Sequence, residues 1–142
     1  MKKCKLISVV LLLLICSTAC SNSQQPSTSA TSANQDEFLQ SMATGISARL
    51  ADSEDDSNMT DEQTAEYFSK LVDYELSEIS KYENATFADE TFNDLAHEYI
   101  NACNSQKIAT KYYKNTQLYN ALWDDARNIR SAIISYLYQN YE

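Results

Sequence analysis

The sequence predicts an all-α fold, a four-helix antiparallel up-and-down bundle that follows a signal peptide and a disordered tether. Three observations lead to this prediction. The chain has only one glycine and one proline, apolar residues recur at three- and four-residue spacing from residue 36 onward, and the connections between these stretches are short. Glycine and proline mark strand ends and tight turns, so their scarcity favours long helices. Short connections make successive helices run in opposite directions.

The individual helices follow from the apolar spacing and from the residues that begin them. Gly45 lies within the first helix and costs about 1 kcal/mol relative to alanine. Because this helix also has the shortest apolar stripe, an alternative places it across a three-helix core. Thr60 and Gln63 form a capping-box pattern at the start of the second helix. The predicted helices span about 36–52, 61–83, 89–114 and 116–141. The last is expected to bury Leu118, Leu122, Ala126, Ile129, Ile133 and Leu137.

The N-terminus has the features of an export signal. Lys2, Lys3 and Lys5 precede an apolar run over residues 6–15, and small residues then lead to Cys20. The run is about half the roughly 20 residues that a membrane-spanning helix needs. We therefore predict a signal peptide over residues 1–19 that is removed on export.

The cleavage region Ser17-Thr18-Ala19-Cys20 resembles the lipobox of bacterial lipoproteins, with Ser17 at the place where leucine is usual. The resemblance implies a diacylglyceryl group on the Cys20 sulfur and a protein held on the outer face of the bacterial cell membrane. Cys16 is a rival acceptor, but the bulky Ile15 before it fits the pattern poorly. The alternative is an ordinary secretory signal cut nearby, with release of the protein.

The layout of the whole chain is also similar to that of small uncharacterised helical lipoproteins of Gram-positive bacteria. Phe38-Leu39 opens the helical part, and Leu122-Trp123-Asp124 lies in the last helix. This resemblance implies surface display and brings no known activity.

Residues 20–35 are predicted to be a flexible linker before a helical domain over residues 36–142. The stretch after Cys20 has no charge, no large apolar residue and the only proline of the chain. Such a composition buries too little surface to offset the entropy of ordering. All 20 acidic residues and only eight of the 11 basic ones lie after residue 19, so the processed chain carries a net charge of −12. That charge argues against nucleic acid as a partner.

Sites for metals, cofactors or catalysis are not expected. His97 is the only histidine, so with Asp94 it forms one half of the paired motif that di-iron bundles need. The acidic stretch 52–58 lacks the glycine of a calcium loop. No nucleophile elbow or phosphate-binding glycine loop occurs. Cys103 is the only cysteine left after processing and lipidation, which excludes an intramolecular disulfide, and we predict that it is buried. We therefore expect no enzyme.

Tyrosine is the remaining candidate for function, because its ring favours protein interfaces and the chain has ten of them. Six fall into two groups, near the third connection and at the C-terminus: Tyr112, Tyr113, Tyr119, Tyr136, Tyr138 and Tyr141. We predict an interaction module for an envelope or extracellular protein, with these tyrosines as its candidate surface. The alternative is a carrier with a small-ligand pocket between the helices.

Overall fold

The structure is a computed structural model that describes residues 31–141, and it confirms the all-α bundle. Its helices are α1 (Gln35–Ala51), α2 (Asp61–Ile79), α3 (Glu90–Ala109) and α4 (Thr116–Tyr141). The second and third helices end earlier than predicted. In both cases the chain tightens into one 3₁₀ turn, over Ser80–Tyr82 and Thr110–Tyr112, which satisfies the terminal carbonyls at a shorter spacing.

Side-chain contacts at the helix ends establish the antiparallel arrangement. The ring of Phe38 at the start of α1 lies 5.3 Å from that of Tyr82 just after α2. Tyr113, after α3, donates a hydrogen bond of 3.1 Å to Glu62 at the start of α2. The ring of Tyr141 at the end of α4 lies 5.1 Å from that of Phe92 at the start of α3. The start of each of the first three helices therefore lies beside the end of the following helix, so successive helices run in opposite directions.

The helix starts are fixed by side-chain caps. The predicted capping box is present, since Thr60 Oγ1 accepts from the Gln63 amide at 3.3 Å and Gln63 Oε1 accepts from the Thr60 amide at 2.9 Å. Asn34 caps α1 and Asp89 caps α3, and the side chain of each accepts one backbone N–H at 2.8 Å. These caps satisfy donors that a helix start would otherwise leave unpaired.

The predicted linker extends too far toward the domain. Strand β1 (Thr31–Ser32) pairs in parallel with strand β2 (Ala85–Thr86) in the connection between α2 and α3. The Ala33 amide then donates to the Thr86 carbonyl at 2.9 Å, and Ala33 packs against the core. Residues 31–35 therefore belong to the fold, because backbone pairing and the Asn34 cap offset the entropy of ordering them. Residues 1–30, with the predicted signal peptide and the lipidation residue Cys20, lie outside the described residues.

Helix α1 runs along α2, so the alternative in which it crosses a three-helix core is wrong. Contacts follow its whole length, from Phe38 beside Tyr82 to Asp52, which accepts from the Tyr74 hydroxyl at 3.2 Å. Gly45 makes this possible. A Cβ atom at this position would lie 2.7 Å from the Glu75 Cα, so the two backbones approach at a distance that only glycine allows.

The core face of α4 differs from the predicted stripe. Ala126, Ile133 and Leu137 are buried as expected, but Leu118 and Ile129 are 37% and 41% exposed. Trp123 and Arg130 point inward in their place. The buried face of α4 is therefore displaced from the predicted stripe toward the side on which Arg130 reaches a buried acid of α2.

Candidate functional site

The candidate tyrosines are divided between the two ends of the bundle. Tyr112, Tyr136 and Tyr138 are exposed, whereas the other three are partly covered. Tyr119 stacks on Trp123 with ring centroids 5.8 Å apart, and Tyr141 packs against Phe92. Of the six, only Tyr136 lines the largely apolar groove described below. The six tyrosines therefore do not form one surface, and part of the set serves packing.

A buried ionic cluster occupies the middle of the bundle. Glu75 of α2 is fully buried, and its two carboxylate oxygens each accept from a guanidinium at 2.6 Å, one from Arg49 of α1 and one from Arg130 of α4. The Tyr99 hydroxyl of α3 also donates to this carboxylate. Four helices thus meet at one side chain. Arg49 further donates to Gln106 Oε1 at 3.2 Å.

The electrostatics of the cluster keep Glu75 charged. Burial alone would raise the pKa of Glu75, but the charge of Arg130 and hydrogen bonds from Arg130, Tyr99 and Arg49 outweigh it and lower the pKa. Burial and the Glu75 charge raise the pKa of the Tyr99 hydroxyl. The same causes raise the pKa of the Cys103 thiol to about 12. Cys103 is buried, as predicted, and its thiol stays protonated at neutral pH.

The cluster was missed at the sequence level, although its members lie at core positions. Glu75 lies three residues after the apolar Val72 and four before Ile79. Arg130 lies four residues after Ala126 and three before Ile133. A charged residue at a core position of a helical stripe is a signal for a buried partner. The two arginines nevertheless keep 15% and 12% of their side chains accessible, so the cluster is not fully closed to solvent.

No metal site emerges within residues 31–141, where no group of three or more histidine, cysteine, aspartate or glutamate residues is arranged to hold an ion. His97 Nε2 instead lies 3.0 Å from the Ala85 carbonyl oxygen. This contact links α3 to the connection between α2 and α3. In the acidic stretch 52–58, Asp52 pairs with Lys70 at 2.8 Å, and the hydrogen bond from Lys70 lowers the Asp52 pKa. The Asp55 carboxylate accepts from the Ser57 amide at 3.0 Å.

The outer surface between α3 and α4 carries a long, largely apolar groove, which we call the α3–α4 groove. It consists of two adjacent depressions of about 330 and 200 Å³, and Glu98 and Ile129 line both of them. One end is lined by Leu95, Ala132, Ile133 and Tyr136, and the other by Asn101, Ala102, Ser105, Leu122, Asp125 and Ala126.

The α3–α4 groove combines exposed apolar side chains with acidic ones. Ile129 and Tyr136 are 41% and 45% exposed, so the groove presents apolar side-chain area to solvent. The charged residues that line the groove, Glu98 and Asp125, are both acidic. By contrast, a depression of about 330 Å³ between the start of α1 and the end of α2 is lined mainly by polar groups, including Glu37, Gln40 and Lys81.

Comparison with known proteins gives no match to a family model, to a curated protein or to a solved structure. Each helix within residues 31–141 falls short of the length or the apolar character needed to cross a membrane.

Proposed function

We propose that this chain is a lipid-anchored lipoprotein of a bacterial cell envelope, whose helical domain is a protein-interaction module. The export signal, the lipobox-like Ser17–Cys20 stretch and the uncharged residues after it support the anchor. The anchor places the domain on the outer face of the membrane. The partner is then an envelope or extracellular protein.

The proposal of a protein-interaction module rests on one observation: α4 is apolar on two faces. Its inner face supplies Trp123, Ala126, Ile133 and Leu137 to a filled core. Its outer face leaves Leu118, Ile129 and Tyr136 in contact with solvent. A contiguous apolar surface that the domain does not cover marks an interaction site in soluble domains.

The carrier alternative has less support. A site for a small ligand would be a concave, mostly apolar cavity that encloses most of its ligand. The α3–α4 groove lies open along the outside of the bundle, and the depression between α1 and α2 is lined mainly by polar side chains. An open groove of this kind suits a protein segment better than a small molecule.

We predict that Cys20→Ala abolishes incorporation of labelled palmitate in the native host and releases the protein from the membrane, because the acylated sulfur is lost. Metabolic labelling followed by membrane fractionation measures both effects. Cys16→Ala is the matched control, and it should keep full labelling and full membrane association. Undiminished labelling of Cys20→Ala would show that the lipid is attached elsewhere.

The interaction module is tested by site-specific photo-crosslinking in intact host cells. A photoreactive residue is placed at one exposed position of each of three helices, Ser47 in α1, Glu66 in α2 and Ile129 in α4. We expect one envelope protein to be cross-linked from one face and not from the others. If the labelled positions give no discrete adduct and native mass spectrometry instead finds a retained small molecule, the carrier replaces the module.

A further inference from the structure

We infer that the α3–α4 groove binds a basic amphipathic helix of the partner protein. The inference rests on the proposed interaction module and names the surface and the chemistry of its ligand. Ile129, Ala132, Ile133 and Tyr136 lie within two turns of α4, and Leu95 faces them from α3. An apolar groove between two helices is a typical receptor for the apolar face of a third helix.

The size of the groove sets the length of the ligand. On α4 the lining residues run from Leu122 to Tyr136, which corresponds to about 21 Å at the rise of 1.5 Å per residue. A ligand helix of about four turns, with apolar residues at three- and four-residue spacing, covers this length. A shorter helix leaves part of the apolar floor uncovered.

The charge of the groove selects a basic ligand. Glu98 lines both depressions and Asp125 lines one of them. Glu90 and Asp94 precede Glu98 at four-residue spacing and are exposed, so they continue an acidic row along α3. The two basic residues of α4 are engaged elsewhere: Arg130 bonds to Glu75 in the core and Arg127 pairs with Asp124. Lysine or arginine on the flanks of the ligand helix would meet this acidic border.

The same charges argue against two other occupants. A second copy of this chain would bring its own acidic row against the first, and like charges across an interface oppose association. An anionic lipid surface would be repelled in the same way. A basic helix gains from both the apolar floor and the acidic border.

Binding of three synthetic 18-residue peptides to the full chain in detergent tests the inference. The first peptide has leucine on one helical face and lysine on the other, the second has glutamate in place of lysine, and the third is a scrambled form of the first. Fluorescence anisotropy gives the affinities. We expect the leucine–lysine helix to bind at least about tenfold more tightly than the other two, and more weakly at about 0.5 M salt.

Two variants separate groove binding from general attraction to an acidic protein. Ile129→Asp should weaken binding of the leucine–lysine helix about tenfold or more, because it places a charge on the apolar floor. Tyr138→Asp is the matched control, since it adds the same charge on α4 at a 67% exposed site away from the groove, and it should leave binding unchanged. Both variants add a negative charge, so unspecific attraction would strengthen binding in both.

Charge reversal provides the complementary test. Glu98→Lys combined with Asp125→Lys should shift the preference from the lysine peptide to the glutamate peptide. Equal binding of the amphipathic and scrambled lysine peptides, or an unchanged affinity in Ile129→Asp, overturns the inference. A dimer that Ile129→Asp dissociates in sedimentation experiments would assign the groove to a second copy and overturn it too. If cells show a cross-linked partner on another face, the interaction module stands and only the groove assignment fails.

Discussion

Glu75→Ala is expected to lower the free energy of unfolding by about 3–5 kcal/mol. The substitution leaves Arg49 and Arg130 facing each other with no carboxylate between them, and it removes the acceptor of the Tyr99 hydroxyl. An unpaired charge inside a bundle is far less favourable than an ion pair on its surface. Urea unfolding followed by far-UV circular dichroism measures the change.

A matched control lies on the same helix two residues earlier. Asp73 also forms an ion pair, with Lys107, but its side chain is 57% exposed. Asp73→Ala should therefore change the free energy of unfolding by about 1 kcal/mol or less. Equal effects of the two substitutions would contradict a special role for Glu75.

A triple variant tests the cause of the loss. When Arg49→Met, Glu75→Leu and Arg130→Met are combined, the two guanidiniums disappear together with the carboxylate. Replacing a whole buried ionic group by apolar residues is often neutral or stabilising, in contrast to removing one member. We therefore expect the triple variant to be more stable than Glu75→Ala alone. If it is less stable, packing around Glu75 accounts for the effect and charge does not.

The pH dependence of stability gives a further readout of the same cluster. Because the Glu75 pKa is lowered in the folded state, its contribution is present above the unfolded carboxyl pKa of about 4.3 and is lost as the pH falls through the folded value. Glu75→Gln should show a flatter loss of stability in this acidic range than the natural chain.

Gly45→Ala is expected to destabilise the domain by about 1–3 kcal/mol, although helix propensity alone predicts a gain of about 1 kcal/mol. The added Cβ would lie 2.7 Å from the Glu75 Cα and 3.1 Å from the Tyr74 carbonyl oxygen. Both are backbone atoms and cannot rotate away. Helices α1 and α2 must separate, which also lengthens the contact between Arg49 and Glu75.

Ser47→Ala is the control for Gly45→Ala, because it changes an exposed position in the same helix. We expect a change within about 0.5 kcal/mol, as for most surface substitutions. Thermal and urea unfolding of the three proteins side by side gives the comparison. A Gly45→Ala variant more stable than the natural chain would show that the close approach of α1 and α2 is not required.

Gly45 has a different effect in an isolated helix and in the folded domain. By propensity, Gly45 weakens the first helix and makes it the least secure of the four predicted helices. In the structure it is a point of close approach between α1 and α2, beside the buried Glu75. Propensity describes an isolated helix, whereas the effect of Gly45 depends on a backbone 30 residues away in the sequence.

The α3–α4 groove could be foreseen only in part. The outer residues Leu118, Leu122, Ile129 and Tyr136 and the inner residues Tyr119, Trp123, Ile133 and Leu137 make α4 apolar on both sides. That excess indicates a second apolar face. The structure buries the face that carries Trp123 and Arg130, where Arg130 bonds to Glu75, and leaves Ile129 outside.

The sequence by itself determined the all-α class, the order of four helices, the capping box at Thr60 and the burial of Cys103. These features depend on local spacing and on residues close together in the chain. The tertiary structure alone decided the face of α4 that is buried, the role of Gly45, the pairing of residues 31–32 with 85–86 and the cluster around Glu75. Each of these features depends on contacts between residues that are far apart in the sequence. The free energy of those contacts exceeds the local conformational preferences that a sequence pattern records.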